Sequence, residues 1–308
     1  MTHCFGIDLG GTKTEIVVLD PAGEICWRHR EPTPTHDYKA ILQLIASLVQ
    51  QAVKGLALAW PTRLGCGIPG ALDPRTQRVR GANTQVLNGQ ALAQDLSELL
   101  QLEVKVDNDA NCLAMSESVD GAGSDAPLVF AVIVGTGCGA GLAWHQQART
   151  GLNALAGEWG HNPLPWPTAD ELKVPACWCG LTGCLETWVS GPGWSRTHER
   201  ETGAWKTPAQ IWDAMQGGDV QAAHSVERWV DRMSRGLAQV VNLIDPDCVV
   251  LGGGLSNLPG VSQRIEARLP HYTFHRGAHT PVRVALHGDS SGVRGAAWLA
   301  RQTTKSTR

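Results

Sequence analysis

The sequence predicts an α/β protein made of two similar lobes that face one another across a cleft. Three observations carry that reading. The chain of 308 residues corresponds to two domains at about 150 residues each. β-rich runs alternate with amphipathic helical stretches along it. A strand running into a glycine turn occurs near the start of each half, at Gly10-Gly11-Thr12 and at Gly135-Thr136-Gly137. Two facing lobes would bring both turns to one cleft.

The elements follow in order. Cys4–Leu9, Thr14–Asp20 and Ile25–Arg30 are β-rich runs broken by Gly10-Gly11 and Pro21-Ala22-Gly23, the pattern of an antiparallel meander. Asp37–Ala52 carries Ile41, Ile45, Leu48, Val49 and Ala52 on one helical face. A strand at Arg63–Ile68 stops at Pro69-Gly70, and a helix near Ala91–Leu100 precedes a strand at Glu103–Val106. Asp109–Ser118 reads as a helix entered directly from that strand. The second strand set is Leu128–Val134 and Ala140–Trp144, parted by the turn Gly135–Gly139. Residues 145–220 read as irregular, rich in Gly, Pro and Trp. A long helix at Ser225–Ile244 turns Val226, Trp229, Val230, Met233, Leu237, Val240 and Val241 inward, and Asp245-Pro246 ends it. Cys248–Leu251 is a buried strand running into Gly252-Gly253-Gly254, and Gly292–Arg301 is helical. The lobes are expected at 1–120 and 121–291, with a C-terminal helix over about 292–308.

Composition narrows the function. Hydrophobic residues at 43% and charged residues at 18% supply a sizeable core. The net charge of −3 leaves no basic footprint for nucleic acid or a membrane surface. No run of 18 apolar residues is present, so no membrane span is expected. The apolar run at Cys4–Leu9 has no basic stretch before it and meets glycine at once, unlike a secretory signal. Nine cysteines, an odd number in a chain this long, argue against a disulfide framework and for a reducing, cytoplasmic setting.

Four clusters carry chemistry. In Asp8-Leu9-Gly10-Gly11-Thr12-Lys13 the glycines let backbone N–H groups approach phosphate oxygens, and Asp8 is placed to hold a hydrated Mg²⁺. An ordinary hairpin turn is the other reading. Gly135-Thr136-Gly137 repeats the same chemistry. Gly252-Gly253-Gly254 after a buried strand would let backbone lie flat against an adenine ring, or serve only as a strand-to-helix connection. Asn108-Asp109-Ala110-Asn111 places a carboxylate at a helix N-terminus, which stabilises the anion and lowers its pKa. Such a group orients an alcohol and accepts its proton late in phosphoryl transfer, unless Asp109 is only a cap. His161, Cys177, Cys179 and Cys184 offer one imidazole and three thiolates, the ligand set of a closed, structural Zn²⁺ site. Free thiols are the alternative. The other six cysteines, Cys4, Cys26, Cys66, Cys112, Cys138 and Cys248, mostly lie in apolar runs and read as small core residues. Beside the metal loop, Glu158 and Glu186 can accept hydrogen bonds from vicinal hydroxyls, as in sugar recognition. Surface solvation is the bland alternative. Of the 12 tryptophans, Trp159, Trp166, Trp178 and Trp188 flank these residues, mostly as packing, with Trp159 a candidate to line the pocket.

GIDLGGTKTEIVVLD, GCGIPG, VDNDANCLAMSE, VIVGTGCGAG, GEWGHNPLPW, CWCGLTGCLETWVSG, DPDCVVLGGGLSN and HGDSSGVRGAAWLA occur in this order. Together they resemble the ROK family of bacterial sugar kinases, repressors and related proteins, over essentially the whole chain. The resemblance implies an actin/hexokinase-like (ribonuclease H-like) two-lobe ATPase fold, with ATP, Mg²⁺, a structural Zn²⁺ and a hexose as ligands. It implies that Asp109 is the catalytic base and that Asn108, Gly70, Asn83, Glu158, His161 and Glu186 surround the sugar. Gly10, Gly11, Thr12 and Lys13 with Gly135, Thr136 and Gly137 would hold the ATP phosphates, and Gly253 and Gly254 the adenosine. The family also suggests a homodimer. Segment 81–90 with GTGCGAG and GEWGHNPLPW resembles the fructokinases of the family, which also accept mannose, so the expected reaction makes fructose 6-phosphate. N-acetylglucosamine kinase, which stretch 254–270 resembles equally, and glucokinase are the alternatives. The family's repressors carry a helix-turn-helix ahead of the first phosphate turn, whereas Asp8 lies seven residues from the start here. That reading is set aside.

Overall fold

The computed structural model describes residues 3–301. The chain opens with β1 (Cys4–Leu9), β2 (Lys13–Leu19) and β3 (Ile25–Pro32), then α1 (Tyr38–Leu56), β4 (Arg63–Ile68), the short pair β5 (Ala71–Leu72) and β6 (Val79–Arg80), α2 (Leu92–Leu100) and β7 (Glu103–Asn108). After α3 (Asp109–Val119) come β8 (Leu128–Val134), β9 (Cys138–Trp144) and β10 (Gln147–Ala148). The helices α4 (Glu186–Val189), α5 (Gly191–Thr202), α6 (Pro208–Gln216) and α7 (Val220–Ile244) follow. The chain finishes with β11 (Cys248–Gly252), α8 (Val261–Arg268), β12 (Val282–Val284) and α9 (Ser291–Leu299).

Two five-stranded mixed sheets result, ordered β3-β2-β1-β4-β7 and β10-β9-β8-β11-β12. In each, an antiparallel hairpin is extended by parallel strands: β1 pairs β2 in reverse and β4 in parallel, and β8 pairs β9 in reverse and β11 in parallel. The strand-to-glycine turns therefore join equivalent strands of the two sheets. This is the actin-like ATPase fold. The sequence placed Cys138 and Gly139 in the second turn; both instead pair with β8 as the start of β9. Residues 145–220 are also more ordered than their composition implies. Ser190 caps α5 through Gly193 N–H, and Thr207 with Gln210 forms a capping box for α6, each helix carrying Pro in its first turn. Residues past 301, where part of the expected C-terminal helix falls, lie outside the described residues. No helix among the described residues is long and apolar enough to cross a membrane.

Between the sheets lie α9, packed on β1 and β4, and α3, packed on α9 and on β8 and β9. Residues Ala110–Ser118 of α3 are all buried, and they are mostly small or polar. Glycine makes the approach close enough. A Cβ on Gly65 would lie 1.7 Å from Ala296 O, on Gly295 1.7 Å from Cys112 O, and on Gly141 2.2 Å from Ala110 O. The buried Glu117 of α3 accepts from Ala122 N and Leu286 N on one oxygen and from Ser291 Oγ on the other. It thereby ties α3 to the start of α9 with both carboxylate oxygens supplied with donors. At the end of α3, Asp120 accepts from Arg294 and from Trp298 Nε1 of α9, and contacts His287 Nε2 at 3.1 Å.

The long stretch before α4 is pinned to α7 by charge. Glu171 bonds Arg232 Nε at 2.8 Å and Arg235 Nη2 at 2.9 Å, all three side chains at most 2% exposed. Arg235 Nη1 also donates to Pro165 O and Trp166 O. Burial alone would push the Glu171 carboxyl up, but the Arg235, Thr168 N–H and Arg232 donors outweigh it and hold it at about 2.

Two outcomes follow. Gly65→Ala forces the β4–α9 contact apart and lowers stability by about 1–3 kcal/mol, read as a lower denaturation midpoint at constant m-value. Glu171 is more acidic folded than unfolded, so its contribution is full above about 4.5 and fades as pH falls towards 2. Acid titration of stability should therefore steepen across that window and flatten in Glu171→Gln.

Candidate active site

Asp109 sits where β7 hands the chain to α3. Asn108 caps the helix, accepting from Ala110 N at 2.8 Å while its amide donates to Gly70 O at 3.0 Å. That bond sets the Gly70 turn against the end of β7. Gly70 has φ 116° and no room for a side chain, since a Cβ would lie 2.7 Å from Arg80 O. The Asp109 carboxylate accepts from Ala110 N at 2.8 Å. It lines a cavity of about 260 Å³ together with Glu158, Asp107, Ala71, Ala154 and Gly157. The sequence expectation of a lowered pKa for Asp109 is corrected here. Burial in the cleft pushes it up, outweighing the Ala110 N–H, and the Glu158 carboxylate adds to the rise.

A second cavity, of about 350 Å³, shares Ala71, Ala154 and Glu158 with the first and adds Gly70, Arg80, His161 and Trp178. Glu158 and His161 thus face the same space, as the sequence implied. Glu186 does not line either cavity. Its Oε2 accepts from Cys138 N at 2.9 Å and its Oε1 from Trp178 Nε1 at 2.6 Å, so both oxygens already have protein donors. Asn83 is exposed, and it precedes the buried Thr84, whose Oγ1 lies 3.6 Å from where a Gly11 Cβ would be. Trp159 is buried with its Nε1 donating to Gly236 O, and it lines neither of these two cavities.

Each glycine turn is closed by its own backbone. Gly10 N–H donates to Lys13 O, closing the first turn, and Gly11, Thr12 and Lys13 are exposed. Gly135 N–H donates to Gly137 O, while Gly191 N–H holds Gly135 O at 2.7 Å. Gly253 takes φ 81° and packs flat on the end of β8, where a Cβ would meet Val134 O at 2.5 Å. Gly254 has open space beyond its Cα, and Gly135 faces its N–H. Asp8 ends β1 between these features. Burial first, then the Asp109 and Glu15 carboxylates, push it up to about 6.

His161, Cys177, Cys179 and Cys184 come together with all four ligand atoms within 4.8 Å of one another, the one such Cys/His cluster among the described residues. Cys177 Sγ lies 3.6 Å from His161 Nδ1, and Cys179 Sγ 3.6 Å from Cys184 Sγ. Tetrahedral zinc with ordinary bond lengths sets such atoms about 3.5–3.8 Å apart, so the donor set fits that ion. Of the six cysteines read as core, Cys26 is exposed on the alternating strand β3; the other five are buried.

One residue of this site escaped the sequence reading. Asp107, in β7, lines the inner cavity two positions before Asp109. Its Oδ1 accepts from Asn108 N and Asn111 Nδ2. The signal was the period-two spacing of the carboxylates in VDND.

The ROK family matches residues 4–303. This chain belongs to the ROK family. It is 36% identical over 299 residues to the N-acetyl-D-glucosamine kinase of Escherichia coli O139:H28, covering 96% of this chain and 98% of that one. Among solved structures it superposes on the ROK hexokinase of Thermus thermophilus with a TM-score of 0.85 and 29% identity, over 97% of each chain. A ROK family glucokinase from Streptomyces griseus, in complex with glucose and AMPPNP, gives 0.78 and 27% over 98% of this chain and all of that one.

Removing a ligand of the cysteine–histidine cluster should loosen the loop that carries Trp178. Cys179→Ser is expected to lower bound zinc per chain, measured by metal analysis, and to lower the melting temperature.

Proposed function

We propose that this ROK protein is an ATP-dependent sugar kinase, and that its acceptor is the 6-hydroxyl of N-acetylglucosamine. The observation that carries the kinase reading is Asp109, enclosed with Glu158 in a cleft that Gly139, just past the second glycine turn, also lines, and near enough to Asp8, just before the first turn, for the two carboxylates to interact. Its raised pKa suits a base that takes a proton only as the new bond forms. The relatives support the same reading, and they shift the acceptor from fructose to N-acetylglucosamine, the sugar named for the curated relative at 36% identity.

In this mechanism Asn108 and the Gly70 turn fix the sugar ring, and Glu158 and His161 accept or donate to its hydroxyls. Asp109 orients the 6-hydroxyl and accepts its proton as the γ-phosphoryl group transfers in line. Backbone N–H groups of Gly11, Thr12, Thr136 and Gly137 hold the phosphate oxygens, those of Gly10 and Gly135 being used to close the turns, and Gly253–Gly254 hold the adenosine. Asp8 is placed for hydrated Mg²⁺, which neutralises phosphate charge when bound. His161, Cys177, Cys179 and Cys184 would hold a zinc ion with four protein ligands, and such an ion would serve to hold the loop.

A kcat/KM panel with Mg-ATP on N-acetylglucosamine, fructose, mannose and glucose tests the assignment. N-acetylglucosamine is expected to lead; a lead for fructose would restore the sequence expectation, and no turnover on any sugar would sink the kinase reading. Asp109→Asn should lower kcat by orders of magnitude with sugar binding largely kept. In the wild type, loss of kcat/KM on acidification should set in at a higher pH than an ordinary aspartate gives. Asp109 must be ionised to accept the proton, and its pKa is raised.

A further inference from the structure

Trp178 combines exposure with fixed orientation. Its side chain stands in the metal loop with the residue 73% exposed. Yet Nε1 donates to Glu186 Oε1 at 2.6 Å, and the ring meets His161 edge-on with centroids 5.0 Å apart. Glu186 is itself anchored to Cys138 N at the foot of the second glycine turn. The indole is therefore held from two sides while it remains open to the outer cavity, which it lines. A rigid aromatic surface beside carboxylates is what an apolar group on a polar ligand packs against.

The two cavities give its place along the cleft. Asp109 lines the inner one only, Glu158 lines both, and His161 and Trp178 line the outer one. The order is thus Asp109, Glu158, Trp178. A sugar with its reacting hydroxyl at Asp109 and its ring beside Glu158 directs the opposite end, with its C1 and C2 substituents, towards the indole.

We infer that Trp178 is a specificity-determining residue, its indole packing on the methyl of a 2-acetamido group. Glu186 acts through it as a positioning residue by holding the ring. This rests on the sugar-kinase reading above. It adds the residue that separates acetamido sugars from plain hexoses.

The test compares wild type, Trp178→Ala and Trp178→Phe on N-acetylglucosamine and glucose, with bound zinc and melting temperature measured alongside. Trp178→Ala is expected to lower the ratio of kcat/KM for N-acetylglucosamine over glucose by about tenfold, the scale of a lost apolar contact in a substrate pocket. The change should appear in the sugar KM while the ATP KM stays put. Trp178→Phe keeps an aromatic face and should retain most of the ratio. An unchanged ratio in Trp178→Ala, or an equal loss for both sugars, overturns the inference, because a merely structural role would weaken both alike. If Trp178→Ala does not fold, Trp178→Leu carries the same comparison. Absence of turnover in the wild type would count against the kinase reading alone. Calorimetric binding of the two sugars to wild type and Trp178→Ala then decides the role of Trp178 separately.

Discussion

The close stack of β1 and β4 on α9, α9 on α3, and α3 on β9 is the constraint on which the rest of this protein depends. Backbones approach there to distances that leave no room for a Cβ at Gly65, Gly295 or Gly141. The core at this point is made of main chain, with small residues supplying dispersion contacts at short range. Glu117 fills the remaining polar need, its carboxylate saturated by donors from the 122 and 286–291 segments. Because α3 is wedged from every side, its first residue cannot drift. That residue is Asp109.

From this fixed helix the site is assembled by links between otherwise separate segments. Asn108 ties the helix start to the Gly70 turn. Glu186 ties the second glycine turn, through Cys138 N, to Trp178 in the cysteine loop. The Glu171–Arg232–Arg235 cluster ties that loop to α7. Each link is a charge-assisted or amide hydrogen bond that fixes one segment relative to another. The two glycine turns, the Asp109 cleft and the cysteine loop thus share anchors, so disturbance at one is felt at the next.

Much of this was legible in the chain. β-rich runs marked most strands of both sheets, though not the short β10 and β12, and the inward residues named for the long helix, from Val226 to Val241, are all buried in α7. The His161–Cys177–Cys179–Cys184 cluster followed from residue types and spacing, because few other chemistries need that set. The helices α5 and α6 were missed since a Gly-, Pro- and Trp-rich composition hides capping signals at Ser190 and Thr207. Cys26 was taken for core because an apolar run does not tell which side of an edge strand faces water.

What the sequence determined by itself was the set of parts: two strand–glycine turns, one carboxylate at a helix start, one closed metal ligand set, and a family. Those are local, since glycine conformation, capping and ligand spacing are settled within a few residues. What only the tertiary structure decided is how the parts act on one another. The helix terminus alone would make Asp109 more acidic, but enclosure in the cleft beside Glu158 makes it less so. Composition gave Glu186 a place among sugar ligands, but packing turned it towards Trp178 and Cys138. Electrostatic environment and hydrogen-bond partners come from segments far apart in the chain, and only folding sets those distances.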